Sequence, residues 1–390
     1  MNPFSGMLEI FLIGALSAIG CGLTGPVLLL RRRVLLGDAV SHSVLAGIGI
    51  AFWIHPVVNS PWLRLGAALS GCCAAWVTTK LTGILRGRAD AALGLVFPLF
   101  FSIGALILAI KASNTHLDVD QVLSGNLESS WLERFRLGGT DLGPQAAWNM
   151  LLIVVALLAA GWIWWRDLQL YLFDPQQGQI LGRPMAFLEI LVVVATTSVI
   201  VFSYDAMGPI LLVALLAGPG ICAWFLTSQI GPFFLATVAA GLLSVLAGTG
   251  LACVLDLNIA GSIGLAAFLI ALGTLFMAPD HGMVFRLLQA NRARIRFVAR
   301  LLAVHICQHE IKGDQASENT RVGLRDHLKL SEKEVAAGAL WLQARSLAVW
   351  ENQILVSTHA GKIFAKSLAE GQDSTDGQMG DEIQRPASLM

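Results

Sequence analysis

Charge is what this sequence has least of. Asp, Glu, Lys and Arg make up 13% of its 390 residues and hydrophobic residues 55%, where soluble domains carry about 25% charged residues. With a mean hydropathy of +0.69, an ordinary water-soluble globule is excluded. The charges also cancel, 26 basic against 26 acidic, so the chain as a whole has no basic surplus to offer a nucleic acid. Five of the six cysteines (Cys21, Cys72, Cys73, Cys222 and Cys253) lie in apolar runs and none forms a CxxC pair. A disulfide framework is therefore not indicated, and buried, inert thiols are expected. The 39 Gly and 13 Pro follow no Gly-X-Y repeat, which excludes a collagen-like chain, and the aliphatic content excludes disorder. There is no G-x-x-x-x-G-K-[ST] either: Gly361-Lys362 lacks both the upstream glycine and the following Ser or Thr. A chain without that phosphate cradle cannot hydrolyse ATP by itself.

What is present is a series of apolar runs. Measured against a membrane span of about 20 residues, nine qualify: 8–30, 36–54, 62–83, 91–111, 147–165, 186–203, 207–226, 231–254 and 259–279. The first begins near Leu8 without a basic leader or an Ala-x-Ala site and is expected to stay as an anchor. Alternating sides collect Arg31, Arg32, Arg33, Arg86, Arg88, Arg166, Arg183, Arg286, Arg292, Arg294, Arg296 and Arg300 on one face, against Arg64, Lys111, Arg134 and Arg136 on the other. The positive-inside rule makes the first face cytoplasmic. The N-terminus is then outside, the C-terminus inside, and 112–146 is one long external loop whose amphipathic stretch, 117–132, suits the interface. Rows of small residues (Gly14, Ala18, Gly22; Ala39, Ser43, Gly47, Ala51) predict close helix packing.

Past Pro279 the composition changes. The expected organisation is a transmembrane domain over 1–280, a basic connector over 281–296 with arginines for lipid headgroups, a small cytoplasmic α+β domain over 297–370 and a disordered tail over 371–390.

The segment Gly37-Asp38-Ala39-Val40-Ser41-His42-Ser43-Val44-Leu45-Ala46-Gly47 carries the most chemistry. Asp38 and His42 are four residues apart, share a helical face and lie one to two turns inside the second span. Intramembrane ionisable groups are costly and point to function. A carboxylate with an imidazole suits Mn, Fe or Zn, and two ligands alone let a transported ion leave. The competing reading is a structural Asp-His hydrogen bond. The segment resembles the signature of the permease subunits of bacterial ABC importers for zinc, manganese and iron, the ABC-3 family. Further stretches match in order: Asp90 to Phe97, Val122 to Asn126 with Ser124 for the usual Phe, Phe173 to Gly182 with Gly178 for the usual Ala, and Leu211 to Pro219. Gly220 to Ala223 departs from the pattern.

The resemblance, which covers about residues 8–280, implies an all-α polytopic bundle in the bacterial inner membrane. It implies Asp38 and His42 as the transport path for a divalent metal ion, a second permease copy or related permease, a cytoplasmic ABC ATPase that alone binds ATP, and an extracytoplasmic metal-binding protein. The loop Phe173, Asp174, Pro175, Gly178, Leu181, Gly182 becomes the contact that couples to the ATPase, with Pro175 opening a short helix and the glycines allowing close approach to a partner. Asp90 is expected to offset a helix dipole. Tyr204, Asp205 and Asp256 are expected in solvated external turns, and His116, Asp118, Asp120 and Glu128 in a loop able to attract cations.

In the C-terminal region helices are expected over 297–310 and 321–327. A capping box at Ser331 and Glu334 opens another, to about Ala344, with Val335, Ala339 and Leu342 on one face. A two-stranded wing about Asn352 and a last helix from Thr358 to Ala369 complete an order that resembles a winged helix, as in iron-dependent repressors and MarR-like regulators. Nine basic and eight acidic residues over 297–370 are too nearly balanced for a DNA reader, which favours regulation or contact. His305, Cys307, His309 and Glu310 are donors suited to a sensory metal, although on one helix Cys307 points away from the two histidines. Two other classes fit parts of the sequence: an ion-coupled secondary metal transporter, and a membrane-tethered metal-responsive transcription regulator.

Overall fold

In a computed structural model that describes residues 3–55, 60–111, 127–137, 140–278 and 282–370, the chain divides into two compact units, Met1–Gly282 and Met283–Met390. The first is a helical, polytopic membrane bundle: α1 (Pro3–Leu30), α2 (Leu35–Ile54), α3 (Pro61–Ile84), α4 (Ala89–Lys111), a hairpin of β1 (Arg134–Leu137) and β2 (Thr140–Pro144), then α5 (Gln145–Ile163), α6 (Trp165–Phe173), α7 (Pro175–Ile180), α8 (Met185–Leu226), α9 (Ile230–Leu255) and α10 (Ile259–Met277). Its outer surface is apolar, with Leu95, Leu106, Leu152, Trp162, Leu235 and Phe268 all exposed. Water would penalise such a surface and lipid does not.

Among the described residues seven helices are long and apolar enough to cross a membrane, namely α1, α2, α4, α5, α8, α9 and α10. The nine expected runs differ from these seven at two places. The run 62–83 lies in α3, which is long enough but is diluted by Arg64, Lys80 and several threonines. The runs 186–203 and 207–226 fall together in α8, whose 42 residues are interrupted at Gly208 (φ 69°, ψ 162°). A straight helix of that length would extend about 63 Å, twice a hydrocarbon core. Contacts with α1 show that it is not straight. Gly14 faces Met207, Gly20 faces Val199 and Gly25 faces Leu216, and Ser203 donates to Ser17 at 3.2 Å. Val199 and Leu216 would lie about 25 Å apart on a straight helix, yet they meet points five residues apart on α1. The chain therefore folds back at Gly208, where a positive φ is open to glycine and Pro209 needs no backbone donor.

The expected small-residue packing is present, and sharper than anticipated. α2 packs against α3, α4 and α8. A Cβ on Gly66 would lie 2.6 Å from the Gly47 carbonyl oxygen and 2.7 Å from the Ala51 Cβ, and one on Gly104 would lie 2.6 Å from the Ala46 nitrogen. Ser70 Oγ donates to the Ser43 carbonyl at 2.7 Å beside this contact. Lipid supplies no hydrophobic drive between helices, so such close backbone approach provides much of the attraction.

The second unit comprises α11 (Met283–Lys312), α12 (Gln315–Glu318), α13 (Arg321–Leu328), α14 (Glu332–Ala344), β3 (Ala348–Glu351), β4 (Ile354–Ser357) and α15 (His359–Ala369). The expected connector over 281–296 is not a separate element: from Met283 it is the first half of one continuous helix. α14 opens with the capping box between Ser331 and Glu334, and Arg294 adds an ion pair to Glu334 at 2.6 Å. β3 and β4 pair antiparallel from Ala348 with Ser357 to Glu351 with Ile354, turning at Asn352 and Gln353, both with positive φ, as a tight hairpin requires. Val298, Ala299, Leu302 and Ile306 of α11 pack with Leu324, Val335, Ala339, Leu342 and Leu355 as a core of their own. The expected tail, 371–390, lies outside the described residues.

If the α2–α3 contact holds the bundle, Gly47→Val or Gly66→Val should each destabilise it by overpacking, by about 1–3 kcal/mol or more. Gly94→Val and Gly161→Val, where an added Cβ meets nothing within 4 Å, should not. Thermal unfolding of the detergent-solubilised chain, followed by its loss from the monodisperse chromatographic peak, reads the difference; equal midpoints for all four variants would contradict it.

Candidate functional site

Asp38 lies in the first turn of α2, where a carboxylate is favoured by the helix dipole, and His42 follows one turn later. Their side chains meet, with His42 Nε2 3.3 Å from Asp38 Oδ1. α4 closes the other side of the imidazole: the Phe97 ring stands edge-on at 4.6 Å between centroids and Phe101 at 5.9 Å. Neither ring accepts a strong hydrogen bond, and His42 Nδ1 is buried without a partner. The Asp38 side chain keeps 40% of its exposure and His42 18%. The pair is thus half-open, with one oxygen and one nitrogen donor on a common face. Such a set can hold a borderline divalent cation and, with only two protein ligands, release it.

Near the arginine-rich ends of the helices a second feature takes shape. Asp174 caps α7, accepting from the Gln177 amide at 2.9 Å, and Pro175 occupies the first helical position. Phe173, Ile180 and Leu181 are exposed and large. Gly178 is instead buried, and a Cβ there would lie 2.5 Å from Met185 Cε. Its smallness serves a contact within the chain, which revises the expectation that it makes room for a partner. Gly182 has φ +70° and turns the chain into α8. Ion pairs from Arg183 to Asp167 at 3.3 Å and from Arg33 to Glu189 at 2.6 Å, with Arg31 over the Tyr171 ring at 4.5 Å, tie α6 and the start of α8 to α1.

Other expected polar groups resolve differently. Asp90 lies in the first turn of α4, as a dipole partner should. Tyr204 is buried at the fold-back of α8, not solvated, because the reversal packs against α1. Asp205 beside it is exposed, 4.0 Å from Arg64, and Asp256 ends α9 in a left-handed conformation. Glu128 accepts from Asn258 Nδ2 and the Ile259 amide, both at 3.3 Å, and so caps α10 instead of standing free for cations. His116, Asp118, Asp120, the motif 122–126 and most of the amphipathic stretch lie outside the described residues.

Of the four C-terminal donors, two come together and two do not. His305 and His309 share a face of α11, their rings 4.3 Å apart. Cys307 is partly buried and packs against the hydrophobic core, and Glu310 is committed to the Ser357 amide and hydroxyl, both at 2.6 Å, and to Lys362 at 3.2 Å. What joins the two histidines is Glu318, at the end of α12, and His327 on α13, and the four donor atoms lie within 4.8 Å of one another. Burial first, then the neighbouring His309 and His327, holds the His305 imidazole below its usual pKa. Sequence reading missed Glu318 and His327 because the turn between α11 and α13 sets their place; the one available signal was three of the chain's eight histidines within 23 residues.

Comparison with known proteins shows what the chain is related to. The chain is 30% identical over 362 residues to the zinc transport system membrane protein TroD of Treponema pallidum, covering 92% of this chain and 98% of that protein. It is 29% identical over 277 residues to the manganese transport system membrane protein MntD of Bacillus subtilis, covering 71% and 93%. The first alignment is too long to end with the bundle and extends past residue 282. Among solved structures, PsaBC from Streptococcus pneumoniae in complex with Fab matches with a TM-score of 0.61 at 24% identity, over 74% of this chain and 96% of that one, a likeness of fold. Residues 4–278 match the ABC 3 transport family: the chain belongs to that family.

Proposed function

We propose that this chain is the membrane permease subunit of an ATP-binding-cassette importer for a divalent transition metal ion, manganese, zinc or iron. In this reading a separate cytoplasmic ATPase supplies the energy, an extracytoplasmic metal-binding protein delivers the ion, and a second permease copy or related permease completes the pathway. The observation that carries it is the Asp38–His42 pair, one carboxylate and one imidazole 3.3 Å apart on α2 inside the family-matched region. Relatives named for zinc and for manganese transport support the substrate class. The two donors accept all three metals and do not select among them.

The reading has nine crossings, with α3 as one and α8 as two. The arginine-rich ends face the cytoplasm of a bacterial inner membrane. α7 and its flanks then lie on the ATPase side and offer Phe173, Ile180 and Leu181, which are exposed, as an apolar coupling face, with Asp174, Pro175 and Gly182 shaping it and Gly178 seating it on Met185. The C-terminal unit, by its order of helices, hairpin and last helix, is read as a winged-helix-like regulatory module whose near-neutral charge argues against duplex DNA as its partner.

Asp38→Ala and His42→Ala should each lower metal uptake by at least about tenfold, the loss of a ligand worth about 1.4 kcal/mol or more, with insertion and ATPase association unchanged. Metal accumulation measured by inductively coupled plasma mass spectrometry checks this, and normal uptake by a well-expressed double variant would remove the pair from the mechanism. Leu181→Glu and Gly178→Trp should separate ATP hydrolysis from transport in reconstituted vesicles, the first by charging the coupling face and the second by lifting α7 off Met185. Transport at the parental rate by both would put coupling elsewhere. Truncation after Gly282 should leave a bundle that inserts and imports metal but responds less to intracellular metal; complete loss of uptake at equal expression would make the C-terminal unit an obligate part of the machine.

A further inference from the structure

The C-terminal unit holds a cluster of its own, separate from the Asp38–His42 pair. His305 is 93% buried by residue surface, being 7% exposed, and its Nε2 is buried without a hydrogen-bond partner. A buried imidazole nitrogen left bare is costly unless something completes it. The groups around it are all donors to metals. His309 lies 4.3 Å away and His327 5.1 Å away between ring centroids, and Glu318 completes a set whose donor atoms all fall within 4.8 Å. Outside this set, Asp314 Oδ1 lies 2.8 Å from His309 Nδ1, the carboxylate-to-imidazole arrangement that orients a ligating histidine and leaves its other nitrogen free to coordinate.

We propose that His305, His309, His327 and Glu318 form a metal site for a borderline divalent transition ion of the zinc class, distinct from the Asp38–His42 pair. Three imidazole nitrogens and one carboxylate oxygen form a donor set that zinc accepts tetrahedrally, with bonds of about 2.0–2.2 Å and therefore donors about 3.3 Å apart. To reach that spacing from donor atoms within 4.8 Å of one another, the hydrogen bond between His327 Nδ1 and Glu318 Oε2 at 2.6 Å opens to admit the ion, and both side chains reach solvent, at 53% and 29% exposure. The ligands come from α11, α12 and α13, so an ion there pins α13 against α11. Because every donor lies within one unit, occupancy follows the concentration of free ion and does not require transport. The site goes beyond the importer reading and stands without it.

The test is cobalt(II) binding by the purified full-length chain in detergent, made in an Asp38→Ala/His42→Ala background so that the bundle pair contributes nothing. One equivalent of cobalt should bind with the intense visible ligand-field bands of tetrahedral coordination, and stoichiometric zinc should abolish them. His305→Gln and His327→Gln should each remove the bands and weaken binding by at least about tenfold, and Asp314→Asn, a positioning change, should weaken it by about 10–100-fold with the bands retained. Cys307→Ser and Glu310→Gln should bind as the parent does. Because His327 is exposed, its variant tests the site even if His305→Gln disturbs the core. Absence of cobalt binding in the parent background, octahedral spectra, or undiminished binding in His327→Gln would each overturn the assignment.

Discussion

Backbone contact between α2 and its neighbours is the constraint from which the bundle's chemistry follows. Gly47 against Gly66 and Gly104 against Ala46 allow α3 and α4 to approach α2 more closely than any side chain would permit. That approach brings Phe97 and Phe101 up to the His42 ring and confines the imidazole so that it meets Asp38. A larger residue at Gly104 would move α4 outward and take Phe97 and Phe101 away from the His42 ring. The donor pair is therefore a property of two helices, although both donors sit on one.

The membrane bundle and much of the C-terminal unit could be read from the sequence because their signals are local. Apolar length gave the helices, the Asp38–His42 spacing gave their common face, and Ser331 with Glu334 located the start of α14. The differences arise where an outcome depends on what packs from a distance. Gly208 and Pro209 could be seen as breakers, but the fold-back they allow is visible only in the contacts of Val199 and Leu216 with α1. Gly178 read as room for a partner and proved to be room for Met185, a residue seven positions on. Tyr204 looked like a solvated turn residue and is instead helical and buried, four residues before the reversal at Gly208.

The same limit governs the histidines of the second unit. Periodicity on α11 correctly separates His305 and His309 from Cys307, because a helix fixes which residues share a face. It has no means of adding His327, which arrives through a short helix and a tight turn, or of removing Glu310, which the β4–α15 junction claims. Donor type was legible in the sequence and donor partnership was not.

The reversal of α8 has a consequence for how the bundle can move. Gly208 and Pro209 join two helical segments with no intervening loop, so there is no slack chain to absorb a change in the angle between them. α1 lies against both segments, touching Val199 on one and Leu216 on the other. A change in the angle between the two segments would therefore be felt at α1, which is held by both of them.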